Sequence, residues 1–200
     1  MPEIKPIETY YNGYKFRSRT EARWAVFFDS LKIKWIYEPE GINIDGVCYL
    51  PDFYLPESKQ FFEVKGILTD VDMIKVSSLI NAGYSVTIGY DDGKFIACDL
   101  WGEDDKGKGI YDLCTCDTSF LCKCKVCGKH WFMGSAGSYK CQCCGSYDGD
   151  HHFTIQMEYY NYVDECGKLC EGGDTDLWDV ARQARFEHGE KPITERNYRR

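Results

Sequence analysis

Pro51-Asp52-Phe53-Tyr54-Leu55-Pro56 and Gln60-Phe61-Phe62-Glu63-Val64-Lys65-Gly66, separated by Glu57-Ser58-Lys59, decide how this chain folds. Each run is short, apolar and aromatic, and bounded by turn residues, the pattern of a buried strand. Pro56-Glu57-Ser58-Lys59 reads as the turn of a hairpin that joins them. Pro51 cannot donate to a sheet ladder, so Asp52 lies where pairing is interrupted or at an edge. Side chains alternate along a strand with period two, so Glu63 and Lys65 point one way and Phe62 and Val64 the other. Ten residues lie between Asp52 and Glu63, and a hairpin closes that gap. A turn aspartate and a solvated Glu-x-Lys pair would use the same residue types, but not in this apolar frame.

Two acids and one cation at a single spot are suited to phosphodiester chemistry. The carboxylates can hold a divalent cation that activates water and neutralises phosphate charge. The lysine adds a positive point beside the attacking group. A third acid precedes them. Ser18 is a good N-cap for a helix over 18–31, with Ala22, Ala25, Val26, Phe28 and Leu31 as its apolar stripe. Ser18-x-x-Glu21 is the spacing of a capping box, and it equally suits a metal-binding acid on the helix.

In this order the elements resemble the PD-(D/E)XK nuclease superfamily: a helix with Glu21, a strand, Pro51-Asp52, Glu63-Val64-Lys65, a second helix and a further strand. The resemblance covers about residues 8–100. Tyr14–Ser18, Glu21–Phe28, Tyr37–Gly41 and Tyr49–Phe53 resemble, more narrowly, small nucleases of bacteriophages and mobile elements, and Ala181–Glu190 is similar to their closing helix. It implies an α/β, restriction-endonuclease-like fold, a mixed sheet flanked by helices. It implies Mg2+ or Mn2+ on Asp52, Glu63 and the Val64 carbonyl, with Lys65 positioning the nucleophile and Glu21 helping to hold the metal or its waters. It further implies DNA as substrate, duplex or branched ahead of other forms, and a cytoplasmic setting in a bacterial or phage-infected cell. Cutting both strands with one centre per chain would take a homodimer or two successive nicks.

Twelve cysteines make the second signal, and in a chain without a secretory signal they favour metal over disulfides. Cys124-x2-Cys127-Gly128 and Cys141-x2-Cys144-Gly145, with thirteen residues between Cys127 and Cys141, resemble a zinc ribbon. Four thiolates around Zn2+ form a closed, structural site. A redox dithiol explains one such pair and not two. Cys122 and Cys143 offer other registers that do not restore both spacings and the glycine. Cys114, Cys116, Cys166 and Cys170 are candidates for a second zinc site, with His130, His151 and His152 in reach of it. Cys48 and Cys98 read as ordinary buried cysteines.

A net charge of −8 argues against indiscriminate DNA binding. Local patches are still present. Lys15, Arg17, Arg19 and Arg23 flank Glu21; Lys125 and Lys129, with Lys123 and Lys140, lie among the cysteines; Arg182 and Arg185 sit on a helix expected over 177–188. The acidic stretches at 70–72, 91–92 and 103–105 would then lie away from the substrate. No apolar run is long enough for a membrane span, and 44% apolar content suits a folded chain.

The organisation expected is a core over 1–101, a zinc ribbon over 110–150 that is an insertion, and a strand and helix over 151–200 returning to the core. Within it we expect a hairpin turning at Asn12-Gly13, strands over 33–37, 84–90 and 94–98, a helix over 70–81, a charged linker over 102–109 and a strand over 153–160. A non-catalytic factor that binds nucleic acid or protein on the same scaffold is the rival reading, as is an inhibitor whose acidic surface mimics nucleic acid.

Overall fold

The computed structural model of the chain describes residues 6–44, 46–107, 109–113, 119–134, 140–146, 153–158 and 175–186. Strands β1 (Thr9–Tyr11) and β2 (Tyr14–Phe16) pair as a hairpin. Both turn residues take positive φ, 48° at Asn12 and 84° at Gly13, as the tightest hairpin turn requires. Ser18 caps α1 (Arg19–Ser30), its side chain accepting from the Glu21 amide at 3.1 Å. This helix buries Ala22, Trp24, Ala25, Val26, Phe27 and Phe28, more than one stripe, because it is covered on more than one side.

The chain continues through β3 (Ile36–Tyr37), β4 (Ile42–Ile44), β5 (Val47–Tyr49), β6 (Phe53–Leu55), β7 (Gln60–Val64), α2 (Asp70–Asn81), β8 (Ser85–Gly89), β9 (Phe95–Glu103) and β10 (Gly109–Leu113). Six of these strands form one mixed sheet in the order β10-β9-β8-β7-β6-β3. Only β7 and β8 run parallel, because α2 carries the chain back between them. The fold is α/β. Phe53, Leu55 and Phe62 face α1, and Phe61, Val86 and Ile88 meet Val76, Leu79 and Ile80 of α2 on the other side.

Two expected segments differ. The strand over 33–37 pairs only at Ile36 and Tyr37, because its partner β6 offers three residues before Pro56. The charged segment 102–109 is no linker: β9 runs to Glu103, and Gly109–Leu113 pairs back on it. The charges there suit a solvated hairpin turn as well as they suit a linker.

A second antiparallel sheet follows, of β11 (Ser119–Cys124), β12 (His130–Gly134) and β13 (Phe153–Glu158) in the order β12-β11-β13. It is not a separate body. Gln60 of β7 is fully buried, donates to the Phe132 carbonyl at 2.6 Å and accepts the Phe132 amide at 3.0 Å. The Phe132 ring meets Phe62 and Phe95 at 5.2 and 4.9 Å, so both sheets share one aromatic core.

A 3-10 turn (Thr175–Trp178) leads into α3 (Asp179–Gln183). Trp178 is buried, 4.5 Å from Trp24 and 5.5 Å from Phe27 between ring centres. The helix expected over 177–188 is therefore shorter. Ala184 turns extended, with ψ 128°, and Arg185 lies beyond the helix that carries Arg182. Among the described residues no helix is long and apolar enough to cross a membrane.

Candidate active site and metal centre

Asp52 sits just ahead of β6, where Pro51 has kept the ladder from starting, and Glu63 lies on β7 opposite that end of the hairpin. Both are buried, at 4% and 5% exposure. Asp52 Oδ2 accepts the Val64 amide at 2.8 Å, and the Asp52 amide donates to Glu63 Oε2 at 3.4 Å. Lys65 Nζ lies 2.8 Å from Glu63 Oε1 and 2.9 Å from Asp72 Oδ1. The Tyr49 hydroxyl donates to Glu63 Oε2. Arg17 completes the ring, with Nη2 2.5 Å from Asp52 Oδ1 and Nε 3.0 Å from Glu38 Oε1. The hairpin thus brings Asp52, Glu63 and Lys65 together.

Charge is unevenly balanced there. Burial, then the charge of Glu63, pushes the Asp52 carboxyl up to about 7, although the Val64 amide and Arg17 work the other way. Burial opposes the charge on Lys65, but Glu63 and Asp72 outweigh it and raise that ammonium above its ordinary value. Burial also works against the Asp72 carboxylate, yet bonds from Thr69 and Lys65 bring it down to about 2. Tyr49 is held well above the usual phenol range by burial and by Glu63. Lys65 is a fixed cation and Tyr49 a fixed donor, while Asp52 carries the strain of two neighbouring acids.

Glu21 has a different environment. Its Oε2 accepts from the Tyr37 hydroxyl at 2.6 Å and the Arg17 amide at 3.2 Å, and its Oε1 from the Ser18 hydroxyl at 2.7 Å. It satisfies the amide ahead of the helix cap and anchors the backbone of Arg17. Glu21, Asp52 and Glu63 do not gather as a three-acid metal cluster among the described residues. Asp52 and Glu63 do fit a Mg2+ or Mn2+ ion in their chemistry: they are hard oxygen donors, buried together, with repulsion that a cation would relieve.

The basic residues are less free than their sequence suggests. Lys15 pairs with Glu8 at 2.7 Å, Arg17 with Asp52, Lys129 with Glu57, and Arg182 with Asp179 at 3.0 Å. Arg19 stands on the first turn of α1, and burial together with Arg19 holds the Arg23 guanidinium below its ordinary value. Lys125 and Arg185 are exposed. The stretch 70–72 does not lie away from the centre, since Asp72 binds Lys65 directly.

The cysteine centre is built by symmetry of the backbone. Gly128 donates to the Cys124 carbonyl at 2.8 Å, and Gly145 to the Cys141 carbonyl at 2.7 Å. The Cys124 amide reaches the Lys129 carbonyl at 2.9 Å, and the Cys141 amide reaches that of Ser146 at 3.0 Å. Both glycines take φ near 70°, which closes the two knuckles alike. The sulfurs of Cys124, Cys127, Cys141 and Cys144 lie within 4.8 Å of one another, with Cys124–Cys144 and Cys127–Cys141 each at 3.9 Å. Zinc–sulfur bonds of about 2.3 Å in a tetrahedron place sulfurs about 3.8 Å apart. The quartet fits a structural metal such as zinc. Cys122 and Cys143 stand outside it, the first fully buried and the second 3.6 Å from the His130 carbonyl. Cys114, Cys116, Cys166 and Cys170, with His151 and His152, lie outside the described residues.

Sequence reasoning passed over Tyr49, Tyr37, Glu38 and Asp72. Only Asp72 had a readable signal: Thr69-x-x-Asp72 opens an apolar run, and the two side chains form the full capping box of α2. That cap begins four residues after Lys65, which is why the helix start and the lysine meet. No family model, no curated protein and no solved structure matches this chain.

Proposed function

We propose that the chain is a metal-dependent nuclease that hydrolyses phosphodiester bonds in DNA, a PD-(D/E)XK enzyme of restriction-endonuclease-like fold whose four cysteines form a zinc ribbon that helps grip the substrate. The observation that supports this most is the meeting of Asp52, Glu63 and Lys65 at one end of the β6–β7 hairpin. Asp52 and Glu63 would hold Mg2+ or Mn2+, with the Val64 carbonyl as a further donor. When bound, that ion supplies an activated water and neutralises phosphate charge.

The chain's own groups do the rest. Lys65 stays protonated, so it serves as a cation beside the phosphate or the attacking oxygen and not as a base. Asp72 fixes the direction of its ammonium. Tyr49 holds one oxygen of Glu63 and leaves the second to Lys65. Glu21 acts through Arg17 and Tyr37, as a positioning residue.

The test is cleavage of supercoiled, linear, single-stranded and branched DNA with Mg2+ or Mn2+, comparing wild type with Glu63→Gln and Lys65→Ala. Both substitutions should lower the rate by roughly a hundredfold or more, with zinc content and melting temperature retained. A wild type that cuts none of these substrates with either metal would replace this reading with that of a non-catalytic binding factor.

A further inference from the structure

The sheet face that carries Glu63 continues away from the acidic centre onto an aromatic floor. Phe61 stands two residues before Glu63 on the same strand and the same face, about 7 Å along it. Its ring lies 5.1 Å from Tyr54 on β6 and 5.3 Å from Tyr84 at the head of β8. Above these rings opens a groove of about 740 Å³, whose far wall is the second cysteine knuckle from Lys140 to Gly145. Among the described residues Lys59 and Lys140 line it, against a single acid, Glu40. Tyr84 is 38% exposed although its ring is large and apolar. Gln142, also in the wall, has a side-chain oxygen with no hydrogen-bond partner.

We propose that this groove takes unpaired bases of a nucleic-acid strand. Flat rings offer stacking that any base can use, and two ammonium groups at the walls suit the phosphates between bases. A cavity of this size encloses a small ligand or a short run of nucleotides, and a duplex does not enter it. The knuckle that forms the far wall thereby acquires a role in recognition beyond folding. Together with the acidic centre one step along β7, the groove assigns a single-stranded or locally opened substrate. That last assignment rests on the nuclease reading; the affinity for unpaired bases does not.

The experiment is fluorescence anisotropy of a labelled 12-residue oligothymidine and of a blunt duplex of equal length, in EDTA so that no cutting intrudes. The zinc-loaded full chain should bind the single strand more tightly than the duplex. Tyr84→Ala and Lys59→Glu, both at exposed positions, should each weaken single-strand binding roughly tenfold and leave duplex binding, zinc content and melting temperature unchanged. Unchanged single-strand binding in both variants, or tighter binding of duplex by the wild type, would overturn the proposal. Competition by thymidine monophosphate as effective as by the oligomer would assign the groove to a free nucleotide and overturn it as well. A chain that binds single strands but cuts nothing would keep this inference and lose the nuclease, and cutting of duplex DNA that Tyr84→Ala leaves untouched would do the reverse.

Discussion

Four sulfurs face one another across the knuckles of Cys124–Gly128 and Cys141–Gly145, whereas Asp52 and Glu63 each face a cation or a hydroxyl that the protein itself supplies. The first centre gathers like groups and offers them no counter-charge, so an ion is what completes it. The second is partly answered by Arg17 and Lys65, while burial and the charge of Glu63 still push the Asp52 carboxyl up. On the function proposed above, the difference would separate a metal bound for good from one that is exchanged. A closed thiolate site serves the fold, and a partly answered pair of acids is able to gain and lose an ion.

The largest effect should come from breaking the closed centre. Cys141 is buried, and its knuckle holds one wall of the groove. Cys141→Ser should abolish stoichiometric zinc. The lost binding energy, on the order of 10 kcal/mol, is comparable with the whole stability of a typical domain. Zinc content and a thermal melt measure this together, and full zinc with an unshifted melt would show that the quartet is not a metal site.

The acidic centre should respond to pH even when EDTA keeps it free of metal. In the unfolded chain an aspartate titrates near 3.9, and in the folded protein Asp52 titrates at about 7. Between those values the folded state binds the extra proton, so stability falls as pH rises through this window and levels off above it. Asp52→Asn lacks that proton. Its melting temperature should therefore gain on that of wild type from pH 4 to pH 7, by several degrees, with EDTA present throughout. A gap that does not vary with pH would mean that the carboxylate is ionised across the whole range.

Arg17 sharpens the contrast further, because it stands where a metal would draw on Asp52. The guanidinium is more than half exposed, so its electrostatic effect is screened and modest. Arg17→Ala should tighten Mn2+ binding several-fold, read as loss of free Mn2+ signal by electron paramagnetic resonance, and Arg17→Lys should stay near wild type. Weaker binding in the alanine variant would show that the arginine supports the ion site instead of competing for it.

What could be read from the sequence follows the range of the interactions. The Asn12-Gly13 turn, the cap at Ser18, the span of α2 and the two knuckles are fixed by neighbours within a few residues, and the structure has them at those places. The meeting of Asp52 with Glu63 was legible because a hairpin is still a local object. Tyr49, Tyr37 and Arg17 find their acids through strand pairings and loop paths that periodicity does not encode. The C-terminal helix is shorter than its apolar pattern suggests because Val180, Ala184 and Phe186 all turn to the core at helical spacing although Ala184 is extended. Trp178 packs on Trp24 and Phe27 and is almost fully buried through contacts that no local pattern encodes.

The smallest effect should come from the ion pair that spans the two regions. Lys129, in the first knuckle, reaches Glu57 in the hairpin turn, and it is tempting to credit this pair with docking the cysteine sheet. Gln60 is the better candidate: it is fully buried and holds Phe132 by two backbone bonds and Ser85 by a third. Lys129 is only half-buried, and Glu57 keeps a second partner in Lys34 at 3.4 Å when it is removed. A pair that still meets water on the lysine side is screened by salt and offset by the entropy of two long side chains. Lys129→Ala should therefore leave zinc content and the melting temperature unchanged at both low and high ionic strength. A loss of stability at low salt that vanishes at high salt would return the docking role to the pair, and would tie the closed centre to the hairpin through charge and not through packing.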